Sequence, residues 1–411
     1  MSGGERERTP VDRVRRLSDT EATFAYTHAL TRGRGGLTTS FTMNGVFSPE
    51  RVEAAVELWL RRLPLLSLRI EDTGGEGLWF RQGTSAAPST GERLWGLRVG
   101  RAAEGATRFS LSLHPAICDG HSVGRLVRPL LDALFGVPGA CAGAEELPPD
   151  TDELTYESGG VCGLCVPGPA RRAVTSYGGE AGPGPGRGRS TGVVRESDGG
   201  VTLAIGPYET RRLRDWCGAR RLTVSGFLAT VLADAFARES GRREVTVARA
   251  VSLRRRYAER ALISEPGCVL GLVRARLRAG GAGRDAVGAG GDLVGRARGH
   301  AEVLCSAGRD WRPERRAHTA IRRAVERETA GGGGPELRVT DAGSVDTALG
   351  PHAGRVTGFR TVAARGDGAL DGALHLSSFK GALTVGLAVG GPWAAAAERE
   401  LSDAMLLHNR R

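Results

Sequence analysis

Residues 113–124 of the chain read LHPAICDGHSVG, and this stretch decides how the rest of the sequence is interpreted. His114, Asp119 and Gly120 match a His-His-x-x-x-Asp-Gly pattern, but Pro115 stands where the second histidine would be. An imidazole titrates near neutral pH and can take a proton from a nucleophile, whereas the proline side chain accepts no proton. Pro115 therefore interrupts the pattern at a position where a second imidazole could take part in proton transfer.

The same stretch also contains an intact Gly-x-Ser-x-Gly pattern, formed by Gly120, Ser122 and Gly124. In serine hydrolases this pattern places a nucleophilic serine on a sharp strand-to-helix turn. Such a turn needs an apolar strand that runs directly into the first glycine, whereas here HPAICD precedes Gly120. A hydrolase that uses Ser122 is therefore the less favoured alternative, and its histidine would have to be His300, His318, His352 or His375, none of which lies in a recognisable loop motif.

The residue patterns on both sides of this stretch predict a strand followed by a helix. The segment TRFSLSL alternates polar and apolar residues and ends just before Pro115, since a missing N–H is tolerated at a strand end. In HSVGRLVRPLLDALFG the apolar residues recur at helical spacing. The candidate residues thus lie at a strand-to-helix corner, where the free N–H groups of the helix start favour negative charge.

Two other segments carry strong local signals. SPERVEAAVELWLRRLPLL predicts a helix with Ser48 as its N-cap and Pro49 at the first helical position. ALHLSSF and LTVGLAVG predict a β-hairpin joined at Lys380-Gly381. Strands and helices thus occur in both halves of the chain.

The domain organisation follows from a change of composition in the middle of the chain. We expect a first lobe over residues 1–140, a Gly/Pro-rich linker or crossover over 141–200 and a second lobe over 201–411. Neither half shows a regular βαβ repeat, so we expect two α+β lobes that face each other across a channel. The lone C-x-x-C pair, Cys162 and Cys165, lies in the linker, and we expect two ordinary reduced thiols there.

Charge and composition exclude several classes of function. The net charge of +11 comes almost entirely from arginine scattered through every segment, so we expect no nucleic-acid partner. No apolar run of about 18 residues and no apolar leader occurs, so we expect a cytoplasmic protein with no membrane span. No metal-ligand cluster stands out, and the glycine-rich runs within 278–292 lack a preceding strand, so we expect neither a metal nor a dinucleotide.

Several stretches, taken in order, resemble the condensation-domain and chloramphenicol-acetyltransferase-like superfamily. The greatest similarity is to the polyketide-associated acyltransferases of actinobacteria, which make lipid esters. The resemblance covers most of the chain. The stretches are RRLSDTEATFAY (15–26), FSPERVEAAVELWLRRLPLLSLRIE (47–71), LSLHPAICDGHS (111–122), RRLTVSGFLATVLADAF (220–236), VSLRRR (251–256) and LRVTDAGS through GRVTGF (337–359).

The resemblance implies two chloramphenicol-acetyltransferase-like lobes and an acyl transfer reaction between them. In that superfamily the second histidine of the motif takes a proton from a hydroxyl or amine that attacks an acyl thioester. The implied partners are an acyl-CoA or an acyl carrier protein and a small-molecule alcohol or amine. No cofactor is implied beyond the thioester of CoA or phosphopantetheine, and the setting is specialised metabolism or lipid assembly. We expect a monomer.

The resemblance also implies which residues form the site. His114 takes the place of the first histidine, and Asp119 takes that of an aspartate that mainly supports local structure. Asp341 falls near a short aspartate-containing motif that holds the channel closed, and it is equally a turn residue before Gly343. The candidate catalytic residues are therefore His114, Asp119 and His121, and the candidate substrate-binding residues are Gly120, Ser122 and Asp341.

Pro115 leaves three outcomes open. His114 or His121 takes over as base through an altered local backbone. Alternatively, the protein works by binding and orienting its substrates alone, which lowers a barrier without any side-chain base, or it catalyses a different reaction in the same channel. Finally, it is a non-catalytic relative that holds an acyl carrier or a partner enzyme. The structural interpretation of His114 is a histidine bonded to backbone, and that of His121 is an exposed residue in the first turn of a helix.

Overall fold

The structure is a computed structural model, and it describes most of the chain outside the linker. The predicted Cys162/Cys165 pair lies outside the described residues. The described residues are 13–33, 35–83, 93–102, 105–138, 147, 149–154, 191–195, 201–254, 256–257, 266–278, 290–332, 336–363, 372–389 and 394–405.

Strands and helices are mixed along the described chain. The strands are β1 (Arg13–Arg16), β2 (Leu37–Asn44), β3 (Leu68–Asp72), β4 (Leu78–Gln82), β5 (Trp95–Arg101), β6 (Ala106–Leu113), β7 (Thr191–Arg195), β8 (Val201–Ile205), β9 (Glu244–Ser252), β10 (Leu270–Arg278), β11 (Glu336–Ser344), β12 (Val356–Ala363), β13 (Gly372–Phe379) and β14 (Ala382–Val389). The α-helices are α1 (Asp19–Leu30), α2 (Pro49–Arg62), α3 (Val123–Leu134), α4 (Pro207–Ala219), α5 (Val224–Ser240), α6 (Gly290–Asp310), α7 (His318–Arg327), α8 (Asp346–Leu349) and α9 (Ala394–Met405).

The first lobe is built on an antiparallel four-stranded sheet in the order β12-β2-β6-β5, with a smaller sheet in the order β1-β4-β3. Its core is rich in aromatic residues, and Phe41 stacks on Phe109 with ring centroids 5.0 Å apart. Trp59 of α2 is fully buried, and its indole N–H donates to Leu126 O of α3 at 2.8 Å. Helices α2 and α3 are thereby fixed against each other beneath the end of β6.

The predicted helix start at Ser48 is confirmed. Helix α2 begins at Pro49, and the Ser48 hydroxyl accepts a hydrogen bond from Arg51 N at 3.3 Å. The cap satisfies one of the four backbone N–H groups that a helix start leaves unpaired.

The second lobe is built on a seven-stranded mixed sheet in the order β10-β9-β11-β13-β14-β8-β7. Strand β11 runs parallel to both β9 and β13, and the other neighbours are antiparallel. Helix α5 is buried over most of its length, with Phe227, Leu228 and Leu232 in the core beneath the sheet. The predicted fold class, α+β with two lobes, is confirmed.

The predicted hairpin near the end of the chain is confirmed as β13 and β14. Its two turn residues, Lys380 and Gly381, have φ angles of 49° and 78°. Two successive positive φ angles match the type I′ turn, whose twist suits the flanking strands. The turn sets a strict antiparallel register in which His375 lies opposite Gly386.

The second half of the chain also contributes two elements to the first lobe. Strand β12 pairs with β2 at the edge of the four-stranded sheet, and the buried hydroxyls of Thr39 and Thr361 lie 2.9 Å apart across this pair. Helix α7 packs on α1 and places Ile321 and Val325 in the core of the first lobe. The two lobes are thus joined by exchanged segments, and the boundaries at 140 and 200 stay a prediction.

Candidate active site at the junction of the two lobes

The predicted strand-to-helix corner is present between β6 and α3. Strand β6 ends at Leu113, and the next residue, His114, donates its backbone N–H to Leu94 O at 2.7 Å. A turn follows, in which Ser122 N donates to Asp119 O at 3.0 Å, and α3 then begins at Val123. The corner packs against the second lobe, so its residues lie at the junction of the two lobes.

Asp119 forms a buried ion pair that crosses this junction. Its carboxylate is 2% exposed and lies 2.5 Å from the guanidinium of Arg254, which belongs to the loop after β9. It also accepts hydrogen bonds from Ser122 N at 2.9 Å and from Val269 N at 3.1 Å. Burial alone would raise the pKa of this carboxyl, but Arg254 and the hydrogen bonds outweigh it and hold the pKa below its usual value. Asp119 therefore fastens the corner to the second lobe.

The hydroxyl of Ser122 belongs to the same network. It lies 2.7 Å from Gly267 O, 2.9 Å from the carboxylate of Asp119 and 2.8 Å from Arg254, and it accepts from Gly267 N at 3.0 Å. Its side chain is fully buried, and none of these partners is a histidine. The geometry therefore does not provide the activated nucleophile that a serine hydrolase needs.

His114 is bonded to backbone, as its structural interpretation predicts. Its Nδ1 accepts a hydrogen bond from Ala116 N at 3.1 Å, so in the neutral ring the proton is on Nε2. The ring packs edge-on against His28 at a centroid distance of 4.2 Å. Burial, assisted by His28, lowers the pKa of His114 to about 3. The lone pair that a general base would use is already occupied, so His114 is a poor replacement for the missing histidine.

His121 and Pro115 lie in contrasting environments. His121 is exposed immediately before α3, whereas Pro115 is buried beside Gly35. The exposure of His121 matches its structural interpretation. The base position itself holds only the apolar pyrrolidine ring.

Gly120 makes the closest approach of the corner to the sheet of the second lobe. A Cβ atom on Gly120 would lie 3.0 Å from Thr340 Cγ2, 3.3 Å from Ala342 Cβ and 3.3 Å from His375 Cε1. These contacts are tighter than ordinary van der Waals contact, so a glycine is required for the corner to pack on β11 and β13. An imidazole of the second lobe thus lies directly against the motif.

Asp341 lies on β11, one residue beyond Thr340. Its carboxylate accepts a hydrogen bond from Gly343 N at 3.0 Å, as expected for a turn residue, and Gly343 has a φ of 69°. Asp341 also lines a cavity of about 270 Å³ together with the start of α5, where Thr223 caps the helix. The structure therefore brings His114, Asp119, Gly120 and Ser122 together at the corner and places Asp341 beside a separate cavity.

Sequence reasoning missed the two residues of the second lobe that meet the motif. Arg254 lies within the stretch VSLRRR, but its pairing with Asp119 joins residues 135 positions apart. The sequence presents His375 only as a possible partner for a hydrolase serine. The signal that could have found it is a histidine in the middle of ALHLSSF, a segment that the sequence predicts to be a strand of the hairpin.

No group of three or more His, Cys, Asp or Glu side chains in the described ranges is arranged to hold a metal ion. No helix in the described part of the chain is long and apolar enough to cross a membrane.

Comparison with known proteins places the fold. Polyketide synthase associated protein 5 from Mycobacterium tuberculosis matches with a TM-score of 0.61 and 16% identity, covering 97% of this chain and 98% of that one. The first condensation domain of the CDA synthetase matches with a TM-score of 0.61 and 17% identity, covering 98% and 97%. TRI3 trichothecene 15-O-acetyltransferase from Fusarium sporotrichioides matches with a TM-score of 0.64 and 11% identity, covering 96% and 95%.

By contrast, no protein-family profile matches the sequence, and no curated protein matches it. The structural matches span nearly the whole chain at identities below 20%, so they establish the fold. The resemblance noted in the sequence is thereby confirmed at the level of the two-lobed condensation-type fold.

Proposed function

We propose that this chain is a condensation-type acyltransferase with an atypical active site. It transfers an acyl group from a CoA or carrier-protein thioester to a hydroxyl or amine, in the biosynthesis of a specialised metabolite or a lipid. The fold supports this proposal, since its structural neighbours include a trichothecene 15-O-acetyltransferase and a condensation domain.

The observation that carries the proposal is the intact junction around Asp119. Well-packed apolar residues of similar volume can often replace a buried ion pair without loss of stability, so stability alone does not account for a pair at this place. Here Asp119, Arg254 and Ser122 are hydrogen-bonded to one another, and Gly267 and Val269 bond to the same three residues. In this proposal the bonded corner positions the substrates between the lobes, and Pro115 is the one departure from the His-His-x-x-x-Asp-Gly pattern.

The experiment measures acyl transfer directly. The purified full chain is incubated with octanoyl-CoA, and in parallel with an octanoylated acyl carrier protein, in the presence of octylamine or 1-octanol. We expect thiol release that depends on the acceptor, together with the octanoyl amide or ester detected by mass spectrometry. The control variant is Glu326→Ala, which changes an exposed ion pair far from the junction. Absence of product with every donor and acceptor pair contradicts acyl transfer.

A second candidate function is a non-catalytic protein that binds an acyl carrier. The specific observation in its favour is that Pro115 cannot act as base and that His114 Nδ1 is already bonded to Ala116 N. This candidate predicts binding of the octanoylated carrier protein, measured by calorimetry, with no release of octanoate or product over many hours. Turnover that exceeds the uncatalysed rate eliminates it.

A further inference from the structure

His375 occupies the centre of the junction. It lies in the middle of β13, where neighbouring side chains point to opposite faces of the sheet. Leu374 and Leu376 belong to the core of the second lobe, whereas Phe379 belongs to the core of the first lobe. By this alternation His375 faces the first lobe.

The surroundings of two glycines indicate where the ring of His375 lies relative to the motif and to β12. His375 Cε1 lies 3.3 Å from the position that a Cβ on Gly120 would take. Gly386, directly opposite His375 in β14, has a Cβ position 3.1 Å from Thr361 O in β12. The imidazole is therefore enclosed by the corner on one side and by β12 on another.

The ring nitrogens of His375 make no hydrogen bond to any described residue, although the side chain is only 1% exposed. The other buried histidines in the described ranges each use at least one ring nitrogen. His318 uses both, His300 uses both, and His352 Nε2 lies 2.7 Å from the carboxylate of Asp132. A buried polar group left without a partner is rare in folded proteins and marks a candidate functional site.

The environment also fixes the charge of the ring. Burial, opposed by the carboxylate of Asp341 and assisted by the nearby imidazole of His121, lowers the pKa of His375 to about 4. The ring is therefore neutral at pH 7 and carries a free lone pair on one nitrogen. A general base must be in this form before the reaction.

We propose that His375 supplies the general base that Pro115 lacks. This inference rests on the proposed acyl transfer. A ring nitrogen of His375 takes the proton of the acceptor hydroxyl or amine as its oxygen or nitrogen bonds to the thioester carbonyl carbon. The tetrahedral intermediate then collapses, the C–S bond breaks, and the imidazolium returns the proton to the departing sulfur. The products are the ester or amide and the free thiol, and His375 is neutral again.

In this arrangement the base comes from the opposite wall of the junction. In the sequence pattern the proton acceptor follows His114 on the first lobe, whereas here it lies on β13 of the second lobe, against Gly120 of the same motif. The frame held by Asp119 and Arg254 would position the substrates, and His375 would act on them.

The test compares three histidines in the same assay. His375→Gln, His114→Gln and His121→Gln are assayed with octanoyl-CoA and octylamine. We expect His375→Gln to lower kcat by about 10²–10⁴-fold with KM changed less than about threefold, and the other two to lower kcat less than about fivefold. The acid limb of the pH profile of kcat should disappear in His375→Gln and persist in the controls. His375→Asn is the second variant if the glutamine variant does not fold.

Each outcome is decisive. If the wild type turns over and His375→Gln retains its kcat and its acid limb, the base is not His375, and acyl transfer stands without it. If instead His114→Gln or His121→Gln alone abolishes turnover, the base is relocated within the first lobe. If the wild type shows no turnover with either donor, the proposed function fails and the proposed role of His375 fails with it.

Discussion

The lobe junction has two walls, the corner between β6 and α3 on the first lobe and strand β13 on the second lobe, and the buried polar side chains of the two walls differ in their hydrogen bonding. On the first lobe, Asp119 and Ser122 are buried, and every bond they need is supplied by Arg254, Gly267 and Val269. On the second lobe, His375 is equally buried, and no described residue bonds to its ring nitrogens.

This difference distinguishes groups that hold the structure from groups that are free to act. A buried polar group with all its hydrogen bonds made stabilises one arrangement of the chain. Removing the group leaves its partners buried without a hydrogen bond, and the desolvation of those partners then costs free energy. A buried polar group without a hydrogen bond lowers the stability of the folded state, but its lone pair remains available for reaction. The motif of this chain therefore supplies the frame, and the chemistry is expected from the opposite wall.

The largest expected effect comes from breaking the frame. Asp119→Ala leaves the guanidinium of Arg254 buried without its carboxylate and leaves Val269 N without its acceptor. Removing one partner of a buried pair costs about 3–5 kcal/mol, so we expect a loss of this size in the free energy of unfolding. Urea titration followed by circular dichroism measures it.

The matched control is an exposed ion pair. Glu326→Ala removes one of the two carboxylates that pair with Arg322 on the surface, the other being Asp72, and should change the free energy of unfolding by less than about 1 kcal/mol. If Asp119→Ala costs no more than this control, the corner is not held by the pair, and the contrast between the two walls is wrong.

A pair of histidine variants tests the contrast directly. His318→Leu leaves Leu78 N and Leu17 O without their partners, and we expect it to destabilise the fold by about 2–4 kcal/mol. His375→Leu removes two unpaired nitrogens and should be neutral or stabilising, by up to about 2 kcal/mol, while it abolishes turnover.

Thermal unfolding of the two leucine variants, alongside the wild type, gives the comparison in one experiment. A stability loss in His375→Leu as large as that in His318→Leu would mean that His375 has bonding partners and is a structural residue.

A smaller effect is expected from crowding the contact between the walls. Gly120→Ala places a methyl group 3.0 Å from Thr340 Cγ2 and 3.3 Å from His375 Cε1, which overpacks the junction at a cost of about 1–3 kcal/mol. Thr340→Ser removes the nearest of these atoms, so the double variant should recover part of the loss. The control is Gly358→Ala in β12, where a Cβ meets nothing within 4 Å. Equal costs for the two glycine variants would contradict the close approach.

What the sequence could predict was mostly local. The Ser48 cap and the Lys380-Gly381 turn each depend on a few adjacent residues, and both are confirmed. The exchange of β12 into the first sheet was not predicted, because strand partners far apart in the chain leave no short-range signal. The same limit hid the pairing of Asp119 with Arg254. The role of His375 depends on the absence of a hydrogen bond, which residue types alone do not encode.

The smallest expected effect concerns Asp152, whose hydrogen bonding is intermediate between that of Asp119, with several bonds, and that of His375, with none. Asp152 accepts a hydrogen bond from Asp19 N at 2.5 Å, but burial raises its pKa to about 7, and the neighbouring carboxylates of Asp150 and Glu21 also raise it. Since the folded state binds this proton more tightly than the unfolded state, its contribution to stability is fully present below about pH 4 and is lost as the pH rises through 7.

Asp152→Asn keeps an acceptor oxygen for Asp19 N and removes the titration. Because the group is partly solvated, we expect a modest effect. The melting temperature of the variant should match that of the wild type at pH 5 and exceed it by about 1–2 °C at pH 8. Thermal scans at the two pH values measure this difference. An advantage that is equal at both pH values, or larger at pH 5, would mean that the pKa of Asp152 is not raised in the folded protein.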